Sequence, residues 1–413
     1  MLVSGCGGGG GIVAAAPAEP VLAPAPTAPA PPAQVPTAPA PAPAPTAPAP
    51  AAGPVAVAVT ELTVGLSNPW GLAFVPDGRM LVTERPGRIK VLSAGGQVLG
   101  NVGGVPEVYN EGQGGLLDIV LDPNFAANRR VYFSYAERDG TDPSRSGTAV
   151  ARAVLDIDAF LLREVTVIYR QRPKGVSSEH FGSRLVFDRS GQLFVTQGER
   201  GERAYAQDLS RGNGKVMRIT TDGAAAPGNP VWPQPDAQPE IWTLGHRNVQ
   251  GAALHPDTGE LWLSEHGPQG GDEINRALPG RNYGWPRVSR GQEYGTTQAV
   301  GVTSLAGMED PLWIWETIDG QPWSGGAKSS PAPAGMAFYT GSAVPQWRGS
   351  LFVAALNGQA VWRLTLDGNS ITGQERLLAT RGERMRDVEQ GPDGSLYLLV
   401  DHASNGKVLR WGP

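Results

Sequence analysis

The chain has 413 residues, 56 of them Gly and 38 Pro, and a net charge of −5 with no basic run, which argues against nucleic acid or an anionic membrane surface as its main partner. Charged residues make up 18% of the chain while Gly and Trp are plentiful, a balance that suits turn-rich β structure better than long helices. No stretch of about eighteen apolar residues occurs, so no transmembrane helix is expected.

Residues 1–53 are nearly all Ala, Pro, Gly and Thr, with Glu19 their only charge, and such a composition cannot bury enough apolar surface to offset chain entropy. They are read as a disordered linker ahead of one large domain over residues 54–413. The single cysteine, Cys6, excludes an internal disulfide and a Cys-based zinc site. Its surroundings, Val3-Ser4-Gly5-Cys6 followed by a Gly run, resemble a bacterial lipobox, in which the cysteine is acylated. A lipid anchor at Cys6 and a periplasmic or outer-envelope location are therefore the expectation. Only five residues precede Cys6, with no basic or apolar segment among them, so an unprocessed tail with an inert thiol stays open as the other reading.

From there on one phrase recurs: an apolar strand, a Pro-Asp-Gly-like turn, a second apolar strand and a polar break. Clear copies cover residues 70–83, 185–196, 253–264 and 388–399, and looser ones begin at Leu116 and Met336. The turns supply the backbone angles of a hairpin, and the flanking β-branched and aromatic residues alternate as half-buried strands do. Third strands follow at Arg88, Lys215 and Ala360. Six such units predict an all-β, six-bladed propeller around a central channel, with long insertions at 224–240 and 283–330.

In a propeller the first strand of each blade lines the channel, so residues just before those strands converge at one mouth. Gln113, Glu179, His180, His246, Arg247, Asn248, Gln250, Arg384 and Arg386 stand there. Several Arg around a pore mouth suit a small polyanion, because guanidinium forks match carboxylates. The Gly-rich acidic loop 265–273 offers carbonyls and carboxylates of the kind Ca²⁺ takes. Each piece alone has a plainer reading, as a hydrogen-bonded structural His, solvated loop Arg or an ordinary turn. Their convergence on one rim favours a site, and the repeat pattern by itself names no reaction.

Seven segments in order carry more: Glu111-Gly-Gln-Gly-Gly-Leu-Leu, Glu179-His-Phe-Gly-Ser-Arg-Leu, Gly245-His-Arg-Asn-Val-Gln-Gly, Glu265-His-Gly-Pro, Gly271-Asp-Glu-Ile-Asn, Asn282-Tyr-Gly-Trp-Pro and Arg384-Met-Arg-Asp-Val. From about Leu62 onward the chain resembles the soluble PQQ-dependent aldose sugar dehydrogenases of the glucose/sorbosone dehydrogenase family, whose fold is a six-bladed propeller. The resemblance implies that His180 is the general base on the anomeric hydroxyl of an aldose, with hydride passing from C1 to C5 of PQQ and the sugar leaving as lactone. Arg247 would stabilise the charge arriving on the quinone oxygens. Gln113, Asn248 and Tyr294 would contact PQQ, while Arg384 and Arg386 pair with its carboxylates. Gly267 and Pro268 carbonyls would hold a Ca²⁺ at PQQ, and Glu273 and Tyr283 a second, structural Ca²⁺. Electrons would go to an external acceptor, a quinone, cytochrome or dye. The chain departs from the family at Asn357, where a Lys is usual and where the Asn amide would still donate a hydrogen bond to PQQ, and at residues 328–331, where an aromatic is; Lys328 and Trp323 are the candidate substitutes. Asn357 supports an alternative, a Ca²⁺-binding propeller without PQQ that serves as an envelope carbohydrate-binding or interaction module. A Ca²⁺-dependent lactonase is a third reading, without the carboxylate-rich metal centre it needs.

Overall fold

Alternating apolar residues around tight turns build antiparallel meanders, and the computed structural model, which describes residues 54–413, contains six of them. Each sheet has four strands, and five are formed by consecutive strands of the chain. Their innermost strands are Pro69–Phe74, Leu116–Leu121, Gly182–Phe187, Val249–Leu254, Pro333–Phe338 and Met385–Gln390. The six-bladed all-β propeller expected from the repeats is the architecture found. Cys6 and the Ala/Pro-rich segment lie outside the described residues.

Two elements differ from the sequence reading. The sixth sheet takes its fourth strand from the start of the domain: Ala58–Leu66 pairs antiparallel with Gly406–Gly412, Ala58 opposite Gly412 and Leu66 opposite Gly406. This pairing closes the ring. The insertion 283–330 is not all loop, because Trp313–Trp315 within it is the outer strand of the fourth sheet.

A hydroxyl on the second strand joins four blades to the next. Thr83, Ser134, Thr196 and Ser264 donate to the carbonyls of Leu117, Ser183, Val249 and Ala334, each on the following inner strand. Ser134 Oγ also accepts the Asp118 N–H at 3.0 Å, so one buried hydroxyl satisfies two backbone groups. Between blades, apolar clusters fill the remaining space, as where Trp347 packs on Trp411 with ring centroids 4.5 Å apart.

Every inner strand shifts register against its neighbour near its start, at 69–72, 116–119, 182–185, 249–251, 333–336 and 385–387. An extra residue in one strand re-aims the side chains around it. The residues inside these bulges include Trp70, Leu117, Gln250 and Arg386 at the mouth, and Asp118 and Arg184 farther along the channel.

Candidate functional site

The bulges surround a cavity of about 220 Å³, lined among others by Trp70, Arg85, Gln113, His266, Arg384 and Arg386. Arg386 is buried; its Nη1 donates to Gln250 Oε1 at 3.0 Å while its Nε has no partner. Burial, opposed by Asp401 and aided by Arg85 and Arg384, pushes the Arg386 pKa down to about 10, so it remains cationic near neutrality. Asp401 also takes Arg384 Nε at 3.3 Å. Burial works to raise the Asp401 pKa, but Arg386, Asn68 and Arg384 outweigh it and hold the carboxyl below its usual range. Three guanidinium groups thus share the wall of one cavity with a single carboxylate, a surplus of positive charge; Arg85 gives its Nε and one Nη to the Gly114 and Gly112 carbonyls, and Arg386 Nε is left without a partner.

His180 stands beside this cavity in a hydrogen-bonded frame. Its N–H donates to Gln113 Oε1 at 2.9 Å, tying the loop before the second blade to the loop before the third. Its Nδ1 lies 2.7 Å from Glu199 Oε2, and both side chains are almost fully buried. A carboxylate only accepts, so this contact places the proton on Nδ1 and leaves Nε2 as a base. Gly198 permits the approach: a Cβ there would collide with the His180 carbonyl. Asn248 Oδ1 accepts from the Gly182 N–H at 3.2 Å and from Gln250 Nε2 at 3.1 Å.

Arg247 is held from three sides. Its backbone N–H donates to Glu265 Oε1, its Nη1 to the His266 carbonyl at 3.3 Å and its Nη2 to the Tyr294 hydroxyl at 3.1 Å. His266 is kept neutral: burial first, then Arg247 and Arg386, push its pKa down to about 3, and its Nε2 is buried without a partner. Below the mouth Arg184 bridges Asp118 and Asp387, each at 3.1 Å.

The acidic loop converges on a void of about 10 Å³, the size of one water or monatomic ion, lined by Gly267, Glu273, Tyr283 and Glu265. Burial, and then the charge of Glu265, push the Glu273 pKa up, as expected of two carboxyls sharing one buried pocket. The Asp272 carboxylate accepts the Gly267 and Ala332 N–H groups, each at 2.8 Å, which shapes the turn. Among the described residues no hydrogen bond reaches the Gly267 or Pro268 carbonyl. The Tyr283 hydroxyl is engaged by the Arg276 carbonyl and the Leu278 N–H, so only its carbonyl is available as a ligand. Among the described residues no three His, Cys, Asp or Glu side chains form a metal cluster, so a cation here would depend partly on backbone oxygens.

Of the residues singled out in the sequence, Gln113, Arg384 and Arg386 line the mouth cavity, and His180, Arg247 and Asn248 are tied to its wall. Tyr294 is largely exposed, away from the cavity lining, and touches the site through Arg247. Asn357 does not line the cavity either; its amide donates to the Ser330 carbonyl at 2.8 Å and its neighbour Leu356 takes the wall position. Lys328 does not line the cavity; its ammonium donates to Glu316 and the Arg290 carbonyl and lies over the Trp323 ring. The sequence reading missed Trp70, Arg85, Glu199, His266 and Asp401. One signal was present: His180/Glu199 and His246/Glu265 are both His–carboxylate pairs 19 residues apart.

A family model described as glucose/sorbosone dehydrogenase matches residues 66–410. The chain is 42% identical to the aldose sugar dehydrogenase YliI of Escherichia coli K12 over 364 residues, covering 87% of this chain and 94% of that protein. The solved structure of the soluble aldose sugar dehydrogenase from Escherichia coli in the apo form superposes with a TM-score of 0.80 at 41% identity, over 87% of this chain and 100% of that one. The PQQ-bound aldose sugar dehydrogenase from Streptomyces coelicolor superposes with a TM-score of 0.68 at 30% identity, again over 87% and 100%.

Proposed function

Because the chain belongs to the glucose/sorbosone dehydrogenase family, we propose that it oxidises aldose sugars at C1 to lactones, with PQQ held at the polar mouth and electrons delivered to an external acceptor. The observation that carries this reading is the pairing, on one rim, of a surplus of guanidinium groups with a carboxylate-oriented histidine. A tricarboxylate fits the first: Arg384, Arg386 and Arg85 line the cavity against one competing carboxylate, and Arg386 Nε and His266 Nε2 are buried polar atoms without partners. When bound, PQQ supplies an electrophilic quinone carbon that accepts hydride from the sugar.

His180 Nε2 takes the proton of the anomeric hydroxyl, and Glu199 stabilises the imidazolium that results. Arg247, fixed by Glu265, His266 and Tyr294, holds its positive charge where negative charge develops and need not reorganise as it does so. Asn248 and Gln113 set the backbone on either side of His180. Gly267 and Pro268 carbonyls would hold a Ca²⁺ whose charge would polarise bound ligand oxygens, and Glu273 with the Tyr283 carbonyl, at the void of the acidic loop, would hold a second, structural Ca²⁺. On the same reading Cys6 is the anchoring residue of a periplasmic or outer-envelope enzyme.

The test is reconstitution of the full chain with PQQ and CaCl₂, scored by aldose-dependent reduction of an artificial acceptor dye. Turnover should require both additions and be lost on EDTA treatment. The second reading, a Ca²⁺-binding module without PQQ, draws on the absence of a lysine ammonium at the mouth; folded protein that titrates with Ca²⁺ but not with PQQ would establish it instead.

A further inference from the structure

His180 occupies a backbone conformation that L residues seldom hold, with φ of +50°, and Gly182 two residues on has φ of +64°. Such a residue keeps its place only when its surroundings over-determine it. Gln113 and Asn248 hold the N–H groups of His180 and Gly182, and a third side chain grips the loop from the other side. Arg200 Nε donates to the Glu179 carbonyl at 2.8 Å, and its Nη2 donates to the Ser177 carbonyl and to Ser146 Oγ at 3.1 Å. Its guanidinium carbon lies 3.5 Å from the centre of the Phe181 ring. The carbonyl before His180 and the ring after it are therefore gripped by the same group.

Arg200 is 1% exposed, and its partners are carbonyls, a hydroxyl and a ring rather than a carboxylate. Burial pushes its pKa down to about 9, with Tyr109 and Glu199 opposing, so it stays cationic at neutral pH. Burying a guanidinium in this way is costly unless its fork is used; here Nη1 has no partner, while Nε and Nη2 span the loop that presents His180. Glu199, the preceding residue, accepts from His180 Nδ1, and its own N–H donates to the Arg247 carbonyl at 2.9 Å. The turn thus carries both the partner of the imidazole and the clamp on its backbone.

We infer that Arg200 is a positioning residue for His180: it fixes the 177–181 loop so that Nδ1 stays on Glu199 and Nε2 is left free to accept a proton. The inference rests on His180 as the base of the proposed dehydrogenase. Its test begins with the full chain free of PQQ, labelled with ¹⁵N in its five histidine rings. His246, whose Nδ1 is 2.8 Å from Glu265, is the internal control. In Arg200→Met the His180 ring signals should shift or broaden toward mixed tautomers while those of His246 stay unchanged. In the PQQ- and Ca²⁺-loaded protein kcat should fall about tenfold to a hundredfold with KM and PQQ affinity unchanged, and Arg200→Lys, which keeps the charge but not the fork, should recover part of that loss. Unchanged His180 signals with unchanged kcat would overturn the assignment, as would parallel changes at His180 and His246, which mark general loosening. Should Arg200→Met fail to fold, Arg200→Lys carries the same spectral comparison. A wild-type protein that turns over no sugar with PQQ would sink the functional reading, and the ring signals would still decide the role of Arg200.

Discussion

At the scale of single residues the site divides into groups that move a proton and groups that hold charge. His180 Nδ1 is hydrogen-bonded to Glu199 while Nε2 makes no hydrogen bond, the Glu179 carboxylate lying 3.9 Å from it, so His180→Gln should lower kcat by about 10² to 10⁴-fold while PQQ affinity stays at the wild-type value, read by a fluorescence titration beside the turnover assay. Arg386→Ala should do the opposite: its charged donors face the cavity, and losing them should weaken PQQ binding by about 1.5–3 kcal/mol, or roughly ten- to hundredfold in Kd, while kcat at saturating PQQ changes little. If the two variants showed the same pattern, the division of roles would be wrong. Gln113, His180, Arg247 and Arg384 were legible in the sequence because each precedes a recognisable strand, and Arg386 because it stands at the start of one; strand starts converge in a propeller. Their partners were harder to read. Glu199 faces His180 only because Gly182 pairs with Gln197, and Asp401 meets Arg384 and Arg386 at the far end of another hairpin. Such contacts depend on register, which a bulge resets and which alternation alone does not encode.

At the scale of elements the blades are alike in sequence but joined through a few side chains. Ser134 is buried, accepts from Asp118 N–H and donates to the Ser183 carbonyl at 2.7 Å in the next blade. Ser134→Ala leaves both groups unsatisfied in the interior and should cost about 1–3 kcal/mol of stability, seen as a lower denaturation midpoint with an unchanged slope. A neutral result would mean that water or a shifted strand takes over the bridge. The same hydroxyl position is Ala354 in the fifth blade and Leu399 in the sixth, so the bridge is a device of the first four junctions. The blade count could be read from Pro-Asp-Gly turns between alternating strands, because local turn chemistry fixes a hairpin. Trp313–Trp315 could not: three residues give too short an alternation, and their strand character comes from pairing with Asp272–Ile274 across a long excursion.

At the scale of the whole molecule the ring stands or falls with one strand. Ala58–Leu66 lies some 340 residues from its partner Gly406–Gly412, and no local pattern announces that pairing; its register is held by Leu66, which is 1% exposed, and by Glu61, which takes Lys407 Nζ at 2.9 Å and Arg381 Nη2 at 2.7 Å. Just before it, Val55 exchanges hydrogen bonds with Gln346 of the fifth blade, at 3.2 and 2.7 Å, so the closure also straps neighbouring blades together. Burial of Leu66 alone is worth about 1.5–3 kcal/mol, and the strand adds its ladder of backbone bonds, against a total stability that for most domains is about 5–15 kcal/mol. Removal of residues 1–53 should therefore leave the thermal midpoint and sugar turnover as they are. Removal of residues 1–66 should abolish cooperative unfolding and PQQ binding together, because the sheet left open is the one that carries Arg384 and Arg386 and whose Asp401 accepts from Asn68 at 3.0 Å across the seam. Circular dichroism melts of the two truncations, beside a PQQ titration, check this. If the shorter protein melts like the longer one, the closing strand is dispensable, and the stability of the ring must come from the inner-strand hydroxyl bridges and interblade cores alone.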